Sequence, residues 1–310
     1  MSRILIPVAI FCLCFSIYSQ VPTKVGPLNA RGLKLFKAGK FEAAIEAFNE
    51  AIENSSMLAK PAIQLPGSPL FERDQARGSD EPIVAIDPAT AAALVNRGNV
   101  YFVLGDVKNA IDDYDRALRI SPGLAQAYVG RGSVWLFKNE ADRALEDYNR
   151  ALKIDPKYVK GYLARAMALT NKGELKEACA DLDRAVELAP KVAEVYYRRG
   201  DVRRDSGNTA GALADYKYAI ELDPKDGGPY YGRGSLYYAK GELENAVRDF
   251  TKAIELEARI PYAFMLRGFS LLALGKDVDA DRDFKHALSV MPPLQAEIDA
   301  GIKLIKNRQK

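Results

Sequence analysis

Residues 125–158 read AQAYVGRGSVWLFKNEADRALEDYNRALKIDPKY, and this stretch decides the fold. Its first half carries Tyr128 four residues before Gly132; its second half carries Ala144, Tyr148 and Ala151. Seven residues are about two helical turns, so the two alanines share one face of a helix, where small side chains admit a neighbouring helix. Tyr148 fills the space between them. Pro156 closes the stretch, because proline enforces helix termination. These features predict two helices folded back on each other.

The layout recurs outward in both directions. Aligned on the glycine of Arg-Gly pairs, it falls at Gly98, Gly132, Ala166, Gly200, Gly234 and Gly268, each 34 residues from the last, with an earlier unit around Gly32, 66 residues before Gly98. Paired alanines follow at Ala44 and Ala51, Ala110 and Ala117, Ala178 and Ala185, Ala212 and Ala219, Ala246 and Ala253, and Ala280 and Ala287. Between them stand Phe48, Tyr114, Leu182, Tyr216, Phe250 and Phe284. Inner turns fall at Gly39, Gly105, Gly173, Gly207, Gly241 and Gly275, with Asn139 in the remaining unit. Units end at Pro122, Pro156, Pro190, Pro224 and Pro292; Ala258 stands where one proline is missing.

This pattern of aromatic, Arg-Gly, paired alanines and closing proline resembles the tetratricopeptide repeat family. The resemblance covers residues 25–58 and 91–294. It implies an all-α fold, a right-handed superhelical solenoid of seven helical hairpins with a concave inner groove. The expected units are 25–58, 91–124, 125–158, 159–192, 193–226, 227–260 and 261–294. The first unit's second helix is expected from Phe41 to about Glu53, followed by a Pro-rich insertion over 59–90 that reads as an exposed loop. Residues 295–310 are expected to form a capping helix with Ile298, Ile302, Leu304 and Ile305 on its apolar side.

Met1-Ser2-Arg3 followed by the apolar stretch Ile4 to Tyr18 has the layout of a signal peptide over 1–19, cleaved after Ser19 to leave 20–24 ahead of the first unit. The chain is therefore expected to be secreted or periplasmic, or membrane-anchored if the leader is retained. Against 44 Lys plus Arg stand 41 Asp plus Glu, a net charge of +3, which offers no electrostatic footprint for nucleic acid. One histidine, His286, and three cysteines, Cys12, Cys14 and Cys179, do not assemble a metal cluster or a Cys-His nucleophile. No metal, no cofactor and no enzyme activity are expected. Glu72, Asp74, Asp80 and Glu81 of the insertion are its acidic candidates for catalysis and form no motif.

Two sets of residues stand out as candidates. Arg97, Arg131, Arg165, Arg199, Arg233 and Arg267 each precede an alignment position, and Asp113, Asp147, Asp181, Asp215, Asp249 and Asp283 recur at one place on the second helices. Folding each hairpin about its turn brings the two series to similar heights, which predicts a structural Arg-Asp ladder. The resemblance implies that groove-facing side chains come from the variable positions of the first helices. These are Asn99, Phe102, Ser133, Leu136, Met167, Tyr197, Arg198, Asp201, Arg204, Tyr231, Ser235, Tyr238 and Phe269. Arg198, Asp201, Arg204 and Asp205 form a charged island beside Tyr231 and Tyr238. Asn99 and Lys160 occupy places like those of the family's chaperone-binding clamp, but Val95, Gly130 and Ala164 stand at its other polar positions. The expected role is an exported scaffold or adaptor that binds a protein or peptide in the groove and assists assembly of a complex. The alternative is a self-assembling subunit whose insertion or C-terminal helix docks into a neighbouring copy. Membrane contact is expected only through an uncleaved leader or an envelope complex.

Overall fold

The inner turns explain why the chain folds into hairpins. At Gly105 the backbone takes φ 79°, and the amides of Gly105 and Asp106 donate to the carbonyls of Phe102 and Tyr101 at 3.0 and 2.8 Å. These two bonds satisfy the last carbonyls of the helix and turn the chain back, the arrangement that a left-handed residue after a helix allows. Asn139 makes the same turn at φ 63°, with bonds of 2.9 and 2.8 Å to Leu136 and Trp135. Asparagine tolerates this region better than other side-chain-bearing residues.

The computed structural model describes residues 25–58, 88–256 and 261–308. The leader, the proline-rich part of the insertion and Ala258 lie outside the described residues. The helices are α1 (Val25–Lys37), α2 (Phe41–Leu58), α3 (Pro88–Val103), α4 (Val107–Ile120), α5 (Ala125–Phe137), α6 (Ala141–Ile154) and α7 (Val159–Asn171). They continue with α8 (Leu175–Leu188), α9 (Ala193–Asp205), α10 (Thr209–Leu222), α11 (Gly227–Ala239), α12 (Leu243–Leu256), α13 (Pro261–Ala273), α14 (Asp277–Val290) and α15 (Gln295–Arg308). Among the described residues the secondary structure is helical, with no strand. Two compact units divide inside α7, the first ending at Ala168 and the second beginning at Leu169.

In the first unit, α1–α2, α3–α4 and α5–α6 are consecutive antiparallel hairpins. Tyr114 and Tyr148 are fully buried between paired alanines. Gly98 and Gly132 lie so near these rings that a Cβ would come within 3.0 and 2.6 Å of them. Two boundaries differ from expectation. Helix α2 runs to Leu58 rather than Glu53, and α3 begins at Pro88, one turn before 91, because proline has no amide to lose at the first helical position. The insertion between them does not part the hairpins: Val25, Ala51, Ala89 and Ala93 share one buried cluster, and Asn96 donates to Asn29 at 2.8 Å.

The second unit holds α8, the hairpins α9–α10, α11–α12 and α13–α14, and α15. Tyr216, Phe250 and Phe284 fill the same place as the tyrosines above. First-helix tyrosines tie successive hairpins: Tyr196 and Tyr230 donate to the carbonyls of Pro190 and Pro224 at 3.1 and 3.4 Å. Helix α15 seats Ile298 against α13, and Gly301 lies so close to Phe269 that a Cβ there would meet its ring at 2.3 Å. Ile302 and Ile305 join the same cluster. Leu304, expected on the apolar side, is instead 54% exposed. At about 100° per residue it points away from the stripe formed by Ile298, Gly301, Ile302 and Ile305.

Candidate binding face

The ladder is built from two-pronged contacts. Arg97 reaches both oxygens of Asp113 with Nε and Nη2 at 2.7 and 2.6 Å, and Arg131 reaches Asp147 at 2.8 and 2.7 Å. In the second unit Arg199 holds Asp215 at 2.9 and 2.7 Å, Arg233 holds Asp249 at 2.7 and 2.8 Å, and Arg267 holds Asp283 at 2.7 Å twice. Arg165 and Asp181 fall in different units. The aspartates are buried, and forked charge-assisted bonds are what a buried carboxylate needs. Arg131 has its pKa raised, first by its hydrogen bonds to the Asp147 carboxylate and against the opposing effect of burial. The ladder holds charge without presenting it.

A second first-helix arginine joins at the Arg199 level. Arg203 donates to Asp215 at 2.9 Å and to Asp183 at 3.3 Å, and its buried Nε finds no acceptor. The corresponding residues of other hairpins are Tyr101, Trp135, Leu169, Tyr237 and Leu271, which bring no charge.

The first-helix candidates separate into two groups. Asn99, Phe102, Ser133 and Leu136 were expected on an open face, but all four are buried, with Asn99 4% and Ser133 2% exposed. The reason lies in the second helices. The hydroxyl of Tyr114 donates to Asn99 at 2.6 Å, and Tyr148 lies 3.4 Å from the Ser133 hydroxyl, which itself donates to the Val129 carbonyl at 2.9 Å. These polar groups satisfy buried tyrosines rather than a ligand, and Asn99 is thereby also removed from any clamp-like role. Phe269 is buried too, under Gly301 of α15. Met167 is half-buried.

In α9 and α11 the candidates Tyr197, Arg198, Asp201, Arg204, Tyr231, Ser235 and Tyr238 all keep part of their surface. Asp201 accepts from the Tyr216 hydroxyl at 2.8 Å and from Arg204 at 3.2 Å. Burial raises its pKa, and the neighbouring Arg204 and the Tyr216 bond only partly offset this. Arg204 also donates to Asp205 at 3.0 Å. Arg198 lies 5.1 Å over the Tyr197 ring and 3.7 Å from Glu194, a loose pairing that leaves its guanidinium available. Tyr197 lines up 6.3 Å from Tyr216 and crowds Gly228, and burial raises the pKa of its phenol. Tyr231 packs 6.0 Å from Phe250, while Ser235 donates to the Tyr231 carbonyl at 2.9 Å. Tyr238 belongs to the cluster that holds Ile302 and Ile305 of α15.

Elsewhere, a polar cavity of about 300 Å³ lies between α3 and α4, lined by Arg97, Tyr101, Asn109, Asp112, Asp113, Asp115, Arg116 and Arg119. It belongs to the ladder side of the hairpin rather than to the first-helix candidates. Among the described residues no three His, Cys, Asp or Glu side chains are placed to hold a metal, and no helix is long and apolar enough to cross a membrane.

Family models for the tetratricopeptide repeat match residues 91–124, 125–158, 159–192 and 228–259, and a TPR repeat model matches 200–241. No curated protein matches the chain in sequence. Among solved structures, a tetratricopeptide repeat protein from Parabacteroides merdae is 22% identical, covers 91% of this chain and 98% of its own, and superposes with a TM-score of 0.59. PilF of Pseudomonas aeruginosa is 21% identical over 68% of this chain and 95% of its own, with a TM-score of 0.61. A chain of the APC/C hetero-tetramer Cut9–Hcn1 is 14% identical over 91% and 56%, with a TM-score of 0.63. At these identities the likeness is one of fold.

Proposed function

We propose that this chain, which carries tetratricopeptide repeats, is an exported, non-enzymatic scaffold that binds a peptide segment of a partner protein on the first-helix face of α9 and α11. The fold is typical of protein–protein interaction scaffolds. The observation that carries the reading is the contrast along the first helices. Polar groups in α3 and α5 are consumed by buried tyrosines, and Phe269 is covered by α15, whereas α9 and α11 keep aromatic and charged groups at the surface.

The chemistry suits a segment with one apolar anchor and one acidic group. Tyr197 and Tyr231 supply rigid, amphipathic contact area, and aromatic and arginine side chains dominate binding energy at such faces. Arg198, with its loose Glu194 partner, is the cation best able to pair with an incoming carboxylate. Asp201 and Arg204 are committed to each other and fix the surrounding side chains. Export is supported by the basic start and the apolar stretch Ile4 to Tyr18.

The test is capture of a partner from an envelope or extracellular fraction by the parent chain and by Arg198→Glu with Tyr231→Ala, after both are shown to be equally helical. Binding by the parent and not the double variant is the expected result. Equal capture by both would move recognition off this face.

A further inference from the structure

The outer arm has a fixed use in five of the ladder arginines. Nη1 of Arg131 donates to Asp115 at 2.6 Å, that of Arg165 to Asn149 at 2.7 Å, that of Arg199 to Asp183 at 2.8 Å and that of Arg267 to Thr251 at 3.0 Å. In each case the acceptor lies 16 residues earlier, on the second helix of the preceding hairpin. Arg97 finds its acceptor across the insertion, in Asn49 at 2.5 Å. The same arm thus holds every one of these hairpins to the one before it.

At Arg233 the pattern changes. The residue 16 positions earlier is Lys217, a cation with no acceptor to offer. Arg233 still grips Asp249 with Nε and Nη2, but no side chain among the described residues accepts from its Nη1. Lys217 is exposed on α10 and forms no ion pair among the described residues, although Glu221 stands one turn further on. The Arg233 side chain keeps 20% of its surface, and the Tyr230 ring lies 5.7 Å from its guanidinium. Two cations therefore share the register that a cation and an acceptor share at the other joints.

We infer that this joint is an anion site, where Arg233 Nη1 and Lys217 Nζ together take a carboxylate from a partner protein. A carboxylate is the group that the equivalent arm grips in this chain itself, at Asp115 and Asp183. One N–H edge and one ammonium match its two oxygens, since Asp249 already occupies the guanidinium's other edge. Like charges at one joint repel each other, and an incoming anion relieves that repulsion. The site lies on the second-helix side and does not rest on the reading of α9 and α11.

The experiment follows the Nε–H signals of the ladder arginines by nitrogen-15 NMR in the full chain, at fixed ionic strength. The probes are the blocked tripeptide Gly-Asp-Gly, its Gly-Asn-Gly counterpart and inorganic phosphate. The aspartate peptide is expected to shift the Arg233 signal saturably while those of Arg131, Arg199 and Arg267 stay in place, and the asparagine peptide to leave all four unmoved. Lys217→Asp, which supplies the carboxylate from within, is expected to abolish the response, and Lys217→Met to weaken it at least fivefold. The inference is overturned by no saturable shift at Arg233, by equal shifts at the other arginines, or by a response that survives Lys217→Asp. Saturation by phosphate at a tenfold lower concentration than the aspartate peptide would overturn the assignment to a carboxylate.

Discussion

Each buried tyrosine of a second helix makes two demands, and the neighbouring residues answer both. Its hydroxyl needs a partner, which Asn99, Ser133 and Asp201 provide for Tyr114, Tyr148 and Tyr216. It also needs room: Gly130 and Gly232, in the next hairpins, lie so close that a Cβ would come within 2.5 and 2.6 Å of Tyr114 and Tyr216. Where the second helix carries Phe48 or Phe284 instead, the corresponding partners are Leu33 and Phe269, which are apolar. Tyr114→Phe should accordingly cost about 1–3 kcal/mol by stranding buried Asn99, and adding Asn99→Leu should recover much of it; urea unfolding of the single and double variants measures both. Asp201 answers its tyrosine with a carboxylate whose pKa burial raises. An unfolded aspartate ionises near 3.9. The folded chain therefore holds the proton more tightly, and this contribution to stability is present below that value and lost as pH rises through the folded pKa. Asp201→Asn keeps an acceptor for Tyr216, as Asn99 does for Tyr114, while Arg204 retains Asp205. It should be more stable than the parent at neutral pH and lose that advantage on acidification, as thermal melts across the acid range would record.

Ladder contacts join elements, and not every charge in them contributes alike. Arg199 holds Asp215 with two prongs and Asp183 with its third nitrogen, so it ties both helices of its hairpin to the preceding one. Its removal leaves Asp215 buried beside a single remaining arginine. Arg203 sits on the same two aspartates with its Nε unsatisfied, at a place where other hairpins carry Leu or an aromatic residue. Removing one partner of a buried pair is costly, while replacing a surplus buried charge by an apolar side chain is often neutral or better. Arg199→Leu should thus lose about 3 kcal/mol, against about 1 kcal/mol or less in either direction for Arg203→Leu. Chemical denaturation of the two variants decides it, and equal losses would mean that Arg203 is as much a part of the joint as Arg199.

At the scale of the whole molecule, a repeat array is stable as the sum of its hairpins and their nearest-neighbour joints, so its last hairpin needs a cover. Helix α15 is that cover, burying Ile298 and lying over Phe269. Deleting residues 295–310 should expose Phe269, Leu272 and Met265, lower the melting temperature by several degrees and produce concentration-dependent association in sedimentation. An unchanged monomer of equal stability would show that α15 is dispensable.

The sequence by itself determined the hairpin, its 34-residue recurrence and the residues that repeat within it, because helix faces and turns follow from spacing over a few residues. Even Asn139 was legible as a turn residue, since its place in the period is that of a glycine with left-handed backbone. The periodic recurrence of Arg131 and Asp147 was legible in the same way, but the third contact of Arg131, to Asp115 in the preceding hairpin, was not. Nor was the burial of Asn99 and Ser133, whose positions vary from unit to unit and so read as ligand-facing. Their fate depends on which side chain the facing second helix carries, and that of Phe269 on where α15 comes to lie. Spacing sets the face on which a residue stands; only the packed neighbour decides whether that face meets water, another helix or a partner.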